Sequence, residues 1–288
     1  MTGRLARLHR YPVKGLAGQA LDRITVTTGD GLPGDRRFAI AAGGTEYDEA
    51  RPHWLRKQAF VILMRDGDEV LARLASRYED DGTVLVATPP GSAACRFDLC
   101  TAAGRGDAAL MLNALLGPRH DGPVRVIAAG ALSFTDIPQN GLSIINLASL
   151  DDFARRIGRP VDPLRFRANC YLDGLPAWCE RDWIGRTIRM GDVELAIDAH
   201  IRRCNATQVD PATATRDLDT VRLLKTHYNH VDLGLYAQVT RGGSLQVGAP
   251  VDVGTATRAS NDTILRRALF YANNAWILAK STLINPRR

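Results

Sequence analysis

No run among the 288 residues is apolar and long enough to span a bilayer, and the opening MTGRLARLHRYPVKG has no apolar signal region. These absences lead us to expect a cytoplasmic chain with no membrane partner. Cysteine is scarce and odd in number: Cys95, Cys100, Cys170, Cys179 and Cys204. An odd count in a chain this long disfavours a disulfide framework. There is no CxxC pair, which argues against a zinc knuckle or an all-cysteine iron–sulfur cluster. The stretch GDGLPGDRR is rich in glycine but carries neither the Walker pattern nor a dinucleotide fingerprint. NGLSI around Ser143 lacks the second glycine of a serine-hydrolase elbow. Internal repeats and low-complexity segments are also missing.

Apolar residues make up 45% of the chain and charged residues 24%, enough to build a packed core. Lysine and arginine outnumber acids 37 to 31, and most of the excess is arginine. The arginines are dispersed, as Arg36-Arg37, Arg165 and Arg167, Arg202-Arg203, and Arg266-Arg267. Dispersed pairs suit converging contacts on a compact phosphate-bearing ligand better than a continuous nucleic-acid tract. No nucleic-acid partner is expected.

The first hundred residues read as short strands: RLARLHRYPV, QALDRITVTT, RRFAIAA, TVLVATPPG and CRFDLC. FVILMRDGDEVLARL reads as two strands joined at Asp66-Gly67. DAALMLNALLG predicts a helix capped by Asp107 and ended by Gly117. In NLASLDDFARRIGRP, Leu147, Leu150, Phe153, Ala154 and Ile157 share one helical face, with Gly158 and Pro160 as the stop. LRFRANCYL, RTIRMG and VELAIDAHI read as strands, and YAQVTRGGSLQVGAPVDV as a hairpin turning at Gly242-Gly243. TILRRALFYANNAWILA predicts an amphipathic tail helix capped by Ser260, Asn261 or Asp262.

VELAIDAHIRRC is a strand running into a loop, and rigid scaffolds commonly present catalytic residues on such loops. Cys204 stands just past the strand, flanked by Arg202, Arg203 and His200. Nearby cations favour a thiolate, which is a soft ligand for a redox-active metal. A plainer reading makes Cys204 a buried small hydrophobe, as free cysteine often is. A third makes it a nucleophile oriented by His200, His227 or His230. Arg167 and Asn169 read equally as loop hydrogen-bonders, and Asp210-Pro211 as a turn.

Five ordered blocks carry a resemblance. RLARLHRYPVKGLAG, GLPGDRRFAI, RFRANCYLDG, RRCNATQVDPATA and LYAQVTRGGSLQVGAPV are similar to successive segments of the MOSC-domain family, and within it to the amidoxime-reducing components and their bacterial relatives. The resemblance spans nearly all of residues 4–254. It implies a mixed, mainly β fold with peripheral helices, in which an N-terminal MOSC-type β-barrel domain packs with a C-terminal MOSC β-barrel domain. The divisions are 1–105, 106–258 and a helical tail at 259–288. It also implies molybdenum cofactor (Mo-molybdopterin), with Cys204 as metal ligand and catalytic centre. Lys14, Arg37, Arg167, Asn169, Arg203 and Asp210 would hold the cofactor. Arginine offers phosphate a five-donor fork and lysine a mobile point charge. Gly15 stands where relatives often have serine, and Ala168 where many have proline.

The implied activity is reduction of N-hydroxylated or other N-oxygenated small molecules. No cysteine follows Cys204, so no plant-type cluster is expected within the chain. Electrons would come from a separate donor protein of ferredoxin, flavin reductase or cytochrome type. Two other readings stand beside this one. The chain is a cofactor-binding or carrier module without turnover, or a metal-free cysteine hydrolase or transferase with a histidine close to the Cys204 sulfur.

Overall fold

The computed structural model describes residues 2–256. The helix expected at the tail lies outside the described residues, as does the 259–288 division. The amino-terminal elements are β1 (Thr2–Arg10), β2 (Val13–Lys14), β3 (Gln19–Leu21), β4 (Arg23–Val26), β5 (Phe38–Ala41), β6 (Ala75–Glu79), β7 (Val84–Thr88), β8 (Cys95–Asp98), α1 (Ala102–Leu116) and β9 (Arg125–Ala128). There follow β10 (Leu142–Asn146), α2 (Leu147–Ile157), β11 (Cys170–Asp173), β12 (Arg186–Met190), β13 (Val193–Arg202), α3 (Thr220–Tyr228), β14 (Asp232–Arg241), β15 (Gly243–Gln246) and β16 (Pro250–Ala256).

Seven strands close into a barrel in the order β11-β10-β14-β13-β12-β16-β1, sealed where β1 pairs with β11. The first strand of the chain is therefore a stave of the barrel built by its second half. Alternation drives the closure. Along β13, Val193, Leu195, Ile197, Ala199 and Ile201 are buried, while the residues between them are not. Leu5, Leu8, Leu172, Ile188, Met190, Leu235 and Val251 complete the interior. Closure leaves no unpaired edge. The parallel pair β10 and β11 is joined through α2. That helix packs Leu150 and Phe153 against the outer face of the wall, together with Leu224 of α3.

Of the other amino-terminal strands, β3 pairs with β1 and β4 with β15, and the remainder form two three-stranded sheets, β2-β5-β9 and β6-β7-β8. Phe38, Ile40, Leu85, Phe97 and Val126 from these sheets share a core with Leu112 of α1. Val209, just beyond Cys204, belongs to this second core.

Four local expectations are corrected. Residues 61–74 do not form paired strands. Gly67, at φ 93°, caps a 3-10 helix over Asp68–Arg73. Helix α1 starts before Asp107, because Thr101 accepts from Gly104 N at 3.0 Å and caps it there. Arg165 and Arg167 precede β11: Asp162 caps a 3-10 turn over Pro163–Phe166, and Arg167 takes a left-handed conformation at φ 52°. Finally, Gly242-Gly243 is no hairpin turn. β15 leaves β14 and pairs with β4, Gly243 opposite Val26.

Candidate functional site

Cys204 follows β13 and caps a 3-10 helix over Asn205–Gln208. Arg203 N donates to Val231 O at 2.9 Å, and Thr207 donates to Cys204 O from N (3.1 Å) and Oγ1 (2.9 Å). Val209 anchors the far end of this loop in the amino-terminal core. Half-buried Cys204 lines an open cavity together with Lys14, Arg36, Arg167, Arg203 and Tyr236.

Each cation is held differently. Arg203 donates from Nε to Leu233 O at 2.6 Å and from Nη1 to Phe166 O at 3.0 Å. Gly234, at φ +89°, makes room for it, since a Cβ there would lie 2.5 Å from Ile144 O and 3.0 Å from Arg203 Nη2. The guanidinium groups of Arg36 and Arg167 lie over the Tyr11 ring, 4.7 and 4.4 Å from its centre. Arg36 ion-pairs with buried Asp35 at 2.5 Å and donates to Arg167 O at 2.8 Å. Burial lowers the pKa of Arg167 and of Arg203. At Arg36 burial also acts to lower it, but the charge and hydrogen bond of Asp35 outweigh that and raise it. Arg167 Nη2 and Arg203 Nη2 are buried without a hydrogen-bond partner. Such an orphaned donor on a charged group is costly unless a ligand satisfies it.

Lys14 is buried and contacts the protein itself, donating to Phe134 O at 2.8 Å and to Asp136 Oδ1 at 2.5 Å. Burial lowers its pKa against the opposing pull of Asp136. Partial enclosure in the cavity wall would raise the half-exposed Asp136 carboxyl, but the Lys14 charge and hydrogen bond outweigh it and hold that group well below the usual range. Asn169 lines the cavity, yet its amide is committed: Oδ1 accepts from Ser143 N (3.0 Å) and Oγ (2.8 Å), and Nδ2 donates to His9 O at 3.2 Å. It ties β1, β10 and the turn before β11 into one floor.

Arg37 is exposed and is not among the lining residues, whereas Arg36 is. The left-handed backbone of Arg36, φ 48°, decides which of the two neighbours faces in. Asp210 is also outside the lining. It accepts from Ala212 N (2.8 Å) and Thr213 N (3.0 Å) and ion-pairs with Arg165 at 2.5 Å. Arg165, which does line the cavity, reaches Asp217 at 2.8 Å as well. Asp210 thus acts through Arg165. Sequence reasoning missed Asp136, Arg165 and Tyr236 as lining residues. The alternation of β14 puts Tyr236 on the outer face, between buried Leu235 and Ala237, but the pattern does not say that this face is covered.

None of the six histidines lines the cavity. His200 Nε2 instead pairs with Arg181 O at 3.1 Å. Among the described residues no group of three His, Cys, Asp or Glu could hold a metal ion, and no helix is long and apolar enough to cross a membrane.

Comparison with known proteins agrees with the ordered blocks. Residues 126–252 match the MOSC domain. Mitochondrial amidoxime-reducing component 1 of Mus musculus is 24% identical over 86% of this chain and 82% of its own length. Mitochondrial amidoxime reducing component 2 of Rattus norvegicus is 34% identical over 38% of this chain and 36% of its own. Among solved structures, the YuaD protein of Bacillus subtilis aligns over 88% of this chain and 96% of its own at a TM-score of 0.40 and 14% identity, a distant likeness. Residues 126–252 thus resemble the MOSC domain, and the likeness to an amidoxime-reducing component runs beyond that segment into the amino-terminal sheets.

Proposed function

We propose that this protein is a molybdenum-cofactor-dependent reductase of N-hydroxylated or other N-oxygenated small molecules, supplied with electrons by a separate ferredoxin, flavin reductase or cytochrome. One observation carries the reading. A single half-buried cysteine shares a cavity with arginines whose Arg167 Nη2 and Arg203 Nη2 have no partner. One thiolate is too few ligands to retain a bare ion. A metal held by Cys204 must therefore arrive already chelated, and the orphaned guanidinium donors fit an anionic group on the same ligand. The residues present fit molybdenum cofactor, which offers a dithiolene at one end and a phosphate at the other.

When bound, the cofactor supplies two-electron chemistry at the N–O bond, refilled one electron at a time by the donor. The protein does the rest. Cys204 supplies the thiolate. Arg36, Arg167 and Arg203, with Lys14, offset the phosphate charge. Asn169 and Asp210 act indirectly, the first by fixing the floor and the second by holding Arg165. Tyr236 lines the cavity, and burial raises the pKa of its phenol, which stays protonated. A cytoplasmic location belongs to the same proposal.

Metal analysis tests the proposal, paired with fluorescence of oxidised pterin, on native protein from a host that makes the cofactor. We expect about one molybdenum and one pterin per chain. Absence of both overturns the reading. Molybdenum and pterin without turnover of any N-oxygenated compound would make the protein a carrier.

A further inference from the structure

Lys14 sits in the cationic cavity, and yet its ammonium is spent on the protein's own carboxylate. The segment that brings Asp136 there, between β9 and β10, has no regular structure. Its first part is fastened. Phe134 is buried against Phe60 and Tyr47, with ring centres 5.0 and 5.5 Å apart. Phe134 N donates to Arg36 O at 2.9 Å, and Ser133 Oγ to Asp35 O at 2.5 Å. Beyond Phe134 the character changes. Asp136 and Pro138 are exposed, and Thr135, Asp136, Ile137 and Gln139 line the cavity. Among the described residues two polar contacts tie the tip to the rest of the protein, Trp54 Nε1 donating to Thr135 O at 3.0 Å and the Lys14–Asp136 pair, while the Ile137 side chain between them is buried.

Asp136 is the one carboxylate among the lining residues, set among Lys14, Arg36, Arg165, Arg167, Arg202 and Arg203. Arg165 has its own acids and Arg36 has Asp35. Asp136 therefore serves the ammonium that a bound anion would otherwise meet. A side chain half open to water is cheap to displace, whereas buried Lys14 is costly to leave unpaired.

We infer that residues 135–140 form a lid whose Asp136 carboxylate holds the anion position beside Lys14 until a phosphate-bearing ligand displaces it. This rests on the proposed function only in naming the cofactor's phosphate as that ligand. The lid keeps the ligand-free cavity from leaving a lysine unpaired, and loading the site releases its tip from Lys14. Because one tether is Trp54, the release has a built-in optical reporter.

The test uses the full chain made in a host unable to synthesise the cofactor, with inorganic phosphate as probe. Phosphate binding is followed by calorimetry and tryptophan emission in wild type, Asp136→Asn, Trp54→Phe and, as a charge control outside the cavity, Asp66→Asn. We expect phosphate to shift wild-type emission and Trp54→Phe to abolish the shift. Asp136→Asn should bind phosphate on the order of tenfold more tightly, the competing charge being gone, and should start with the emission of the phosphate-bound wild type. Asp66→Asn should match wild type. The lid is wrong if phosphate binds without altering Trp54 emission, if Asp136→Asn binds no more tightly than Asp66→Asn, or if no phosphate binds. These results need no molybdenum, so they stand apart from the metal analysis that decides the proposed function.

Discussion

The inside of the barrel encloses Cys170 and the cavity on its flank holds Cys204, and the two could hardly be treated more differently. Cys170 is fully buried among Leu5, Leu8, Leu172 and Ile188, and burial pushes its thiol up to about 12. Cys204 is half-buried in a wall of arginines, just past the end of a strand whose inward residues are aliphatic. The same residue type is a small hydrophobe in one place and a candidate ligand in the other. What separates them is which side of the barrel wall they stand on. Closure of the seven strands gives a sealed interior that tolerates no charge, and this frees the outer face to carry charge wherever the amino-terminal sheets cover it.

The sharpest way to break this comparison is to make the same change on both sides. Cys204→Ser should abolish reductase activity and bound molybdenum while leaving thermal unfolding unchanged. Cys170→Ser should do the reverse. It buries a hydroxyl in an aliphatic core, costing about 1–3 kcal/mol, and leaves activity per folded molecule intact. Activity surviving in Cys204→Ser, measured with a reduced artificial donor, would remove the ligand assignment.

The next largest effect is expected at Arg165. Its guanidinium is buried and joins Asp210 and Asp217 beneath the Cys204 loop. Burial alone would raise both carboxyls. Thr213 N, Ala212 N and Arg165 outweigh it at Asp210, and Arg165 with Arg159 does so at Asp217, leaving both pKa values lowered. Folded values below the unfolded ones mean stability that is present above about pH 4 and lost as acid protonates the pair. Arg165→Met should therefore lower stability near neutral pH by about 3–5 kcal/mol and flatten its fall between roughly pH 4 and 2. Denaturant titrations across that range check both parts. An unchanged acid limb would show that the two carboxylates are held without Arg165.

Much of the site was legible because its chemistry is attached to strand ends. Cys204 and Arg203 follow the cleanest alternating strand in the chain, whereas Lys14, Arg167 and Asn169 are marked out only by the family resemblance, since Arg167 and Asn169 read equally as loop hydrogen-bonders. The rest depended on backbone geometry that no residue pattern announces. Asp136 belongs to a segment without periodicity. Tyr236 faces outward from a closed barrel, and only the covering sheets make that outside a cavity. Residues 61–74 carry strand-like apolar residues, yet Arg216 spans them, donating from Nη2 to Leu63 O at 3.0 Å and from Nη1 to Asn205 O at 3.2 Å. The segment is thereby fastened to the Cys204 loop, and its central turn is a 3-10 helix. Gly15 has φ +100° and would place a Cβ 2.8 Å from Val61 O, so the serine the resemblance led us to expect there would meet backbone before it could reach a ligand.

Gly234 sharpens the comparison at the wall itself, since its neighbours Leu233 and Leu235 are buried while Arg203 passes over it on the cavity side. Gly234→Ala meets both a left-handed backbone and the two close atoms. We expect a loss of about 1–3 kcal/mol and a weakened hold on cofactor, because Arg203 must shift. Unfolding and molybdenum content should move together in this variant. A change in stability with full cofactor retention would mean that Arg203 relaxes without leaving its place.

The smallest effect should separate two adjacent arginines. Arg36 is nearly enclosed, paired with Asp35 and set over Tyr11, while Arg37 is exposed with its guanidinium 5.7 Å from the Phe38 ring. Arg36→Met leaves Asp35 buried without its cation and withdraws one charge from the cavity, so cofactor content should fall. Arg37→Ala removes a solvated charge. It should change stability by no more than about 0.5 kcal/mol and leave molybdenum content at the wild-type level. Cofactor loss in Arg37→Ala equal to that in Arg36→Met would mean that the ligand reaches out over the rim, and that the division between a charged cavity and an indifferent surface is drawn one residue too early.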